Sequence, residues 1–303
     1  MTEYVTSTVA VNGGELTVGI WNPDAPGTAV VALHGITSSH VAWRTVAERM
    51  PGVRVIAPDL RGRGRSNCLP GPYGMDRHAE DVAALLDSFD LRRPLLAGHS
   101  MGAFVAMQTV RRYPARVGGV VLIDGGLPLE TSASSPEEAL AVLGPAAERL
   151  SMTFPSRAAY LEFWRRHPAF TEDWTTAMDA YVDYDLDGEE PELRPATKAE
   201  AMLQDSLWLA GDDSWIADIN AWGGRIPFLV APRGLMDEPV GLYSREAVTN
   251  WSSLLPGLHV TAVDDVNHYT ILMGEKGADT VRAVILAQQS RISAAHAATE
   301  VQQ

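Results

Sequence analysis

Short apolar runs at residues 29–33, 53–57, 95–97, 117–123 and 226–231 punctuate the chain, the first between Thr28 and His34 and the others bounded by Gly, Pro, Arg or Asp. Runs of this length without polar alternation read as strands buried on both faces. Ahead of them, residues 4–11 are rich in β-prone side chains, and the turn residues Asn12-Gly13-Gly14 lead into residues 16–21, which predicts a hairpin. Between the runs lie helical patterns at 41–50, 75–89 and 101–113; in the second, Val82, Leu85, Leu86 and Phe89 share one face and acidic residues take the other. A further strand at 259–263 and a helix at 279–297 close the pattern. Strands alternating with helices imply an α/β fold: a mostly parallel sheet with an N-terminal hairpin and helices on both faces.

The alternation breaks from 127 to 222. No clear strand is predicted there, only helical segments at 136–150, 157–166 and 198–209 separated by Pro and Gly. This stretch reads as an inserted helical cap, with residues 1–126 and 223–303 forming the core. Aromatic residues concentrate in it, among them Phe163, Trp164, Phe170, Trp174, Tyr181, Tyr184, Trp208, Trp215 and Trp222. Most are expected to pack the cap's own interior and a minority to line a cleft.

Composition adds a boundary on partners. The net charge is −14, and residues 125–222 hold 19 acidic against 6 basic side chains, so nearly all of it belongs to the cap. Such a balance argues against nucleic acid and against an anionic membrane surface, both of which demand a basic footprint. Cys68 is the only cysteine, which excludes an intrachain disulfide and a cysteine-rich metal site. There is no basic segment followed by an apolar one at residues 1–11 and no apolar run of membrane-spanning length, so a cytoplasmic, unprocessed protein is expected. Oligomeric state stays open.

The candidate chemistry centres on Gly98-His99-Ser100-Met101-Gly102. A serine between spaced glycines, entered by a strand and left by a helix, reads as a nucleophile elbow, where small neighbours allow the backbone to turn sharply and hold the hydroxyl exposed. Such a serine needs a base and a third group to orient that base. His268 follows the last strand and is the expected base. Asp237 follows the preceding strand and is preferred as its partner, with Asp124, at the end of residues 117–123, as the alternative. The amides of Met101 and of Ile36, which follows His34-Gly35 after a central strand, are expected to form an oxyanion hole. Thr37, Trp164, Trp208 and Tyr269 are the expected pocket residues, with apolar cap faces turned toward Ser100 and acidic faces outward. The arginines of Asp59-Leu60-Arg61-Gly62-Arg63-Gly64-Arg65-Ser66 read as tight turns with Arg–Asp pairing rather than a phosphate loop, since no Lys-Ser/Thr pair opens a helix there. No metal or cofactor is implied.

With Leu33-His34-Gly35, the Asp59–Ser66 motif, Gly98–Gly102, Gly234-x-x-Asp237 and Asn267-His268 in order, the chain resembles the α/β-hydrolase fold superfamily, specifically its esterase/lipase-like serine hydrolases with a helical lid. The resemblance covers essentially the whole chain. It implies cofactor-free hydrolysis of a small, largely apolar carboxylic ester or lactone through an acyl-enzyme. Carbon–carbon bond hydrolases, thioesterases and non-hydrolytic ligand receptors share the motifs. Ser100 stands where dehalogenases and epoxide hydrolases of this fold carry aspartate, and His99 where carbon–carbon hydrolases often carry asparagine. The acidic cap also disfavours the phosphates of coenzyme A.

Overall fold

The structure is a computed structural model that describes residues 2–129 and 135–300. Its centre is a sheet of eight strands: β1 (Tyr4–Val11), β2 (Gly14–Trp21), β3 (Val30–Leu33), β4 (Val55–Pro58), β5 (Leu95–His99), β6 (Gly119–Ile123), β9 (Ile226–Val230) and β10 (Leu258–Ala262). A two-stranded ribbon, β7 (Leu186–Asp187) and β8 (Arg194–Pro195), lies apart from it. The sheet order is β1-β2-β4-β3-β5-β6-β9-β10. β1 and β2 form the expected hairpin, with Val11 opposite Gly14, and β2 pairs antiparallel with β4; every other pairing is parallel.

The sequence dictates this arrangement through burial. β3, β5, β6 and β9 are buried along their whole length, as strands covered on both faces must be. Successive side chains point to opposite faces, and β3 shows the result. Val30 and Ala32 pack into one core with Trp21, Val46, Leu272 and Ile285, whereas Val31 and Leu33 pack into the other with Val82, Leu86 and Phe104. The helices α1 (Arg44–Glu48), α10 (Thr270–Met273) and α11 (Glu275–Glu300) cover the first face; α2 (Met75–Ser88) and α3 (Met101–Arg112) cover the second. The segment expected as one helix at 41–50 is a 3-10 turn, His40–Trp43, running into α1.

Between β6 and β9 stand α4 (Pro136–Leu150), α5 (Arg157–Arg165), α6 (Thr176–Tyr184), the β7–β8 ribbon, α7 (Ala199–Ser206) and α8 (Trp215–Trp222). The ribbon corrects the expectation of a strand-free segment: Pro191 and Pro195 confine it to two residues per strand, too short to carry a periodic signal. A break at Gly144 (φ 38°), followed by Pro145, divides α4. After β9 come α9 (Arg245–Leu254) and β10. No helix among the described residues is long and apolar enough to cross a membrane.

Candidate active site

Three chain segments converge at the C-terminal ends of β3, β5 and β6, where an open α/β sheet gathers its ligands. The first is the turn from β5 into α3. Ser100 sits there with φ 54° and ψ −125°, a conformation costly for a residue with a Cβ. The turn is possible because its neighbours lack side chains: a Cβ on Gly98 would overlap the Ala103 backbone, and one on Gly102 would overlap the Leu33 carbonyl. The Ser100 amide is tied to the Ile123 carbonyl at 2.9 Å, which ties the turn to the end of β6.

The second segment is the loop after β3. It crosses directly over the serine, since a Cβ on Gly35 would stand 3.3 Å from Ser100 Cβ and 3.7 Å from Ser100 Oγ. His34 sets its conformation. The Leu60 amide donates to His34 Nε2 (2.9 Å), which leaves the proton on Nδ1 to be donated to the Gly35 carbonyl (2.8 Å). Because the peptide is trans and planar, holding that carbonyl directs the Ile36 N–H the opposite way. Neither the Ile36 nor the Met101 amide has an acceptor among the described residues. Met101 opens α3, so its N–H is one of the helix's unsatisfied donors at the positive end of the dipole. Complete burial keeps the His34 imidazole neutral, its pKa lowered to about 3.

The third segment carries His268, only 4% exposed. Its Nδ1 lies 2.7 Å from Asp124 Oδ2, so that nitrogen carries a proton and Nε2 is left as an acceptor. Asp124 directly follows β6 with φ 45°, is fully buried, and accepts the Ala231 amide on Oδ1 at 3.2 Å. His99 donates from Nε2 to the His268 carbonyl (2.8 Å), with the two rings 4.8 Å apart. Burial first, then the His268 charge, holds the His99 pKa well below its ordinary value, so this donor stays neutral.

Asp237, expected beside His268, is elsewhere. Its Oδ2 accepts from Arg233 Nη1 (3.0 Å) and its Oδ1 from Asn267 Nδ2 (2.9 Å). The residue lies seven positions beyond the end of β9, in a loop whose Gly234, Leu235 and Glu238 line the same cavity as His268 but whose Asp237 carboxylate is taken by Arg233 and Asn267, whereas Asp124 directly follows the strand that adjoins β5. The sequence held a signal for this: Gly125 follows Asp124, and a Cβ there would overlap the Ser100 backbone.

Ser100 and His268 line one cavity of about 400 Å³, together with Gly35, Ile36, Thr37 and Tyr269. Thr37 and Tyr269 are therefore where the sequence placed them. Trp164 and Trp208 are not among the lining residues. Trp164 is buried among Tyr160, Phe170, Tyr181 and Tyr269, and Trp208 is 37% exposed against Gly74. Tyr181, Leu209, Leu242 and Leu272, which sequence reasoning did not single out as pocket residues, supply much of the wall. No lysine or arginine lines it among the described residues, and Glu238 stands at its exposed side.

A family model for the alpha/beta hydrolase fold matches residues 28–176. Lipase LipV of Mycobacterium tuberculosis is 34% identical over 118 residues, 39% of this chain and 44% of that protein, so the chain matches less than half of that relative's length. The 2-(acetamidomethylene)succinate hydrolase of Mesorhizobium japonicum is 28% identical over 260 residues, 86% of this chain and 87% of that protein. Among solved structures, that of an E-2-(acetamidomethylene)succinate hydrolase superposes with a TM-score of 0.76 at 22% identity, over 93% of this chain and 98% of that one. A thioesterase domain from the curacin biosynthetic pathway gives 0.72 at 19%, over 94% and 99%. Likeness at these structural identities speaks for the fold alone.

Proposed function

We propose that this chain, whose fold is that of the α/β hydrolases, is a serine hydrolase of a small, largely apolar carboxylic ester or lactone, with Ser100, His268 and Asp124 as its triad. One observation carries the reading: the strained Ser100 faces the same cavity as an imidazole whose far nitrogen is held by a buried carboxylate. In this reading His268 Nε2 removes the Ser100 proton as Oγ attacks the carbonyl, and Asp124 keeps the ring in the required tautomer and stabilises its positive charge. The Ile36 and Met101 amides receive the oxyanion. His268 then protonates the leaving oxygen, and water enters by the reverse path to free the acid. Residues 127–222 act as a lid that shapes the acyl pocket. The wall of Leu129, Leu209, Leu242 and Leu272, without a lysine or arginine among the described lining residues, favours a neutral acyl group over the dicarboxylate named for the relative above.

A fluorophosphonate probe and a panel of p-nitrophenyl esters test this. Wild type is expected to be labelled and to turn over neutral esters. Ser100→Ala should abolish labelling and lower kcat by about 10⁴-fold or more while leaving the fold unchanged. Undiminished turnover in that variant would remove Ser100 from the chemistry.

A further inference from the structure

Two buried guanidiniums, neither used by the chemistry above, meet the loop that carries the Ile36 amide. Arg63, fully buried, donates from Nε to the Ile36 carbonyl at 2.9 Å and from Nη1 to the Arg61 carbonyl at 2.9 Å; its Nη2 lies 3.7 Å from Met101 Sδ. Arg149, 3% exposed, donates from Nη2 to the Thr37 carbonyl at 3.2 Å. Each cation is matched by a carboxylate from the segment between β6 and β9. Asp205, on α7, accepts from Arg63 Nη1 and also takes His78 Nε2 at 3.0 Å and the Gly74 amide at 2.5 Å. Asp185, just after α6, accepts from Arg149 Nη1 and from the Tyr160 hydroxyl, while the Trp164 ring lies 5.0 Å from the guanidinium carbon.

With His34 on the Gly35 carbonyl, three consecutive carbonyls of this loop are therefore held by buried side chains, two of them cationic. A trans peptide whose carbonyl is pulled one way presents its N–H the other way, so His34 aims the Ile36 N–H, while Arg63 and Arg149 fix the next two peptides and so hold the chain immediately beyond Ile36. Guanidinium donors are the strong kind of hydrogen bond, and here no bulk water competes. Burying two positive charges is costly unless they are paired, so Arg63 can occupy its position only while Asp205 is docked on it, and Arg149, itself on α4 of that segment, reaches the loop only while the segment is docked and Asp185 pairs with it.

We infer that Arg63 and Arg149 are positioning residues for the oxyanion loop, and that the helical segment is coupled to that loop through Asp205 on Arg63 and through Arg149, which Asp185 braces. The inference rests on the serine-hydrolase reading for its kinetic consequence. Undocking the segment releases the two carbonyls and lets the Ile36 amide drift from the position a tetrahedral intermediate requires. A misplacement of about 1 Å at such a site can cost on the order of 10²-fold in rate. The effect falls on kcat, because the amide matters most when the oxyanion forms.

The test compares wild type with Arg149→Met/Asp185→Asn, which removes both charges of one pair, and with Arg149→Met alone. Thermal melting and far-UV circular dichroism establish that each variant is folded. In the double variant kcat for a neutral nitrophenyl ester should fall on the order of 10²-fold with KM changed less than about threefold. Affinity for an alkyl boronic acid, which forms a tetrahedral adduct on Ser100, should weaken in parallel with kcat. A folded double variant with wild-type kcat, or with only KM altered, overturns the inference. If Arg149→Met does not fold, the double variant alone decides. Should wild type neither label with fluorophosphonate nor hydrolyse any ester, the serine-hydrolase reading fails by itself. The clamp is then judged by amide hydrogen exchange of residues 34–43: faster exchange in the double variant supports it, and unchanged exchange overturns it.

Discussion

At the scale of single residues, the difference between Asp124 and Asp237 shows what a pattern of spacing can and cannot decide. Both follow apolar runs and both lie in the left-handed region, at φ 45° and 62°. Their side chains face different partners: Asp124 holds His268 Nδ1, and Asp237 holds Arg233 and Asn267. Asp124→Asn should therefore lower kcat on the order of 10⁴-fold by favouring the wrong imidazole tautomer. Asp237→Asn, which replaces a half-exposed pairing, should cost less than about tenfold. Steady-state kinetics on one neutral ester rank the two, and the opposite ranking would return the role to Asp237. Ser100, His268, Thr37 and Tyr269 were legible because each has a local mark: an elbow, the end of a sheet strand, or adjacency to one of these. The carboxylate beside His268 was less so, because the choice depends on β6 lying between β5 and β9, and strand order is not written in local pattern.

At the scale of elements, three of the five helices between β6 and β9 were legible in the sequence, α6 and α8 were not, and the faces of none were. Leu207-Trp208-Leu209 follows the end of α7 at Ser206, where the chain leaves helical geometry and consecutive side chains diverge. Leu209 reaches the cavity while Trp208 turns to the surface beside Gly74. The expectation that acidic faces turn outward also fails at two places. Asp185 and Asp205 are buried because Arg149 and Arg63 meet them, and a partner more than a hundred residues away in sequence, as Arg63 is from Asp205, leaves no periodic trace. These placements make opposite predictions for neighbouring side chains. Leu209→Ala should change the ratio of kcat/KM between bulky and small esters by on the order of 10-fold, the scale of ~1–3 kcal/mol of pocket contact. Trp208→Ala should scale all substrates by one factor. A selectivity change confined to the Trp208 variant would mean that the cavity wall lies elsewhere.

At the scale of the whole molecule, the buried imidazoles link the site to acid stability. His34 titrates near 3 in the folded protein against about 6.5 when unfolded, chiefly because burial disfavours its charge, and His99 is displaced in the same direction. Between those limits the unfolded chain binds protons that the folded one refuses, so stability is lost as pH falls below about 6.5, by ~1.4 kcal/mol per pH unit for each such group. Asp59, lowered to about 2 against burial by the His40 imidazole bonded to it, continues the loss between about 3.8 and 2. Asp185 works the other way, since burial raises its pKa and acid relieves a charge the fold strains to keep. Relief of the −14 net charge on acidification also opposes the loss. The observed slope is thus a sum, and a single substitution isolates one part of it. In denaturant unfolding between pH 4.5 and 6.0, His34→Gln should show a slope of stability against pH that is shallower than wild type by about 1.4 kcal/mol per unit. Parallel slopes for the two proteins would mean that His34 takes up a proton in the folded state, which its bond from the Leu60 amide to Nε2 forbids.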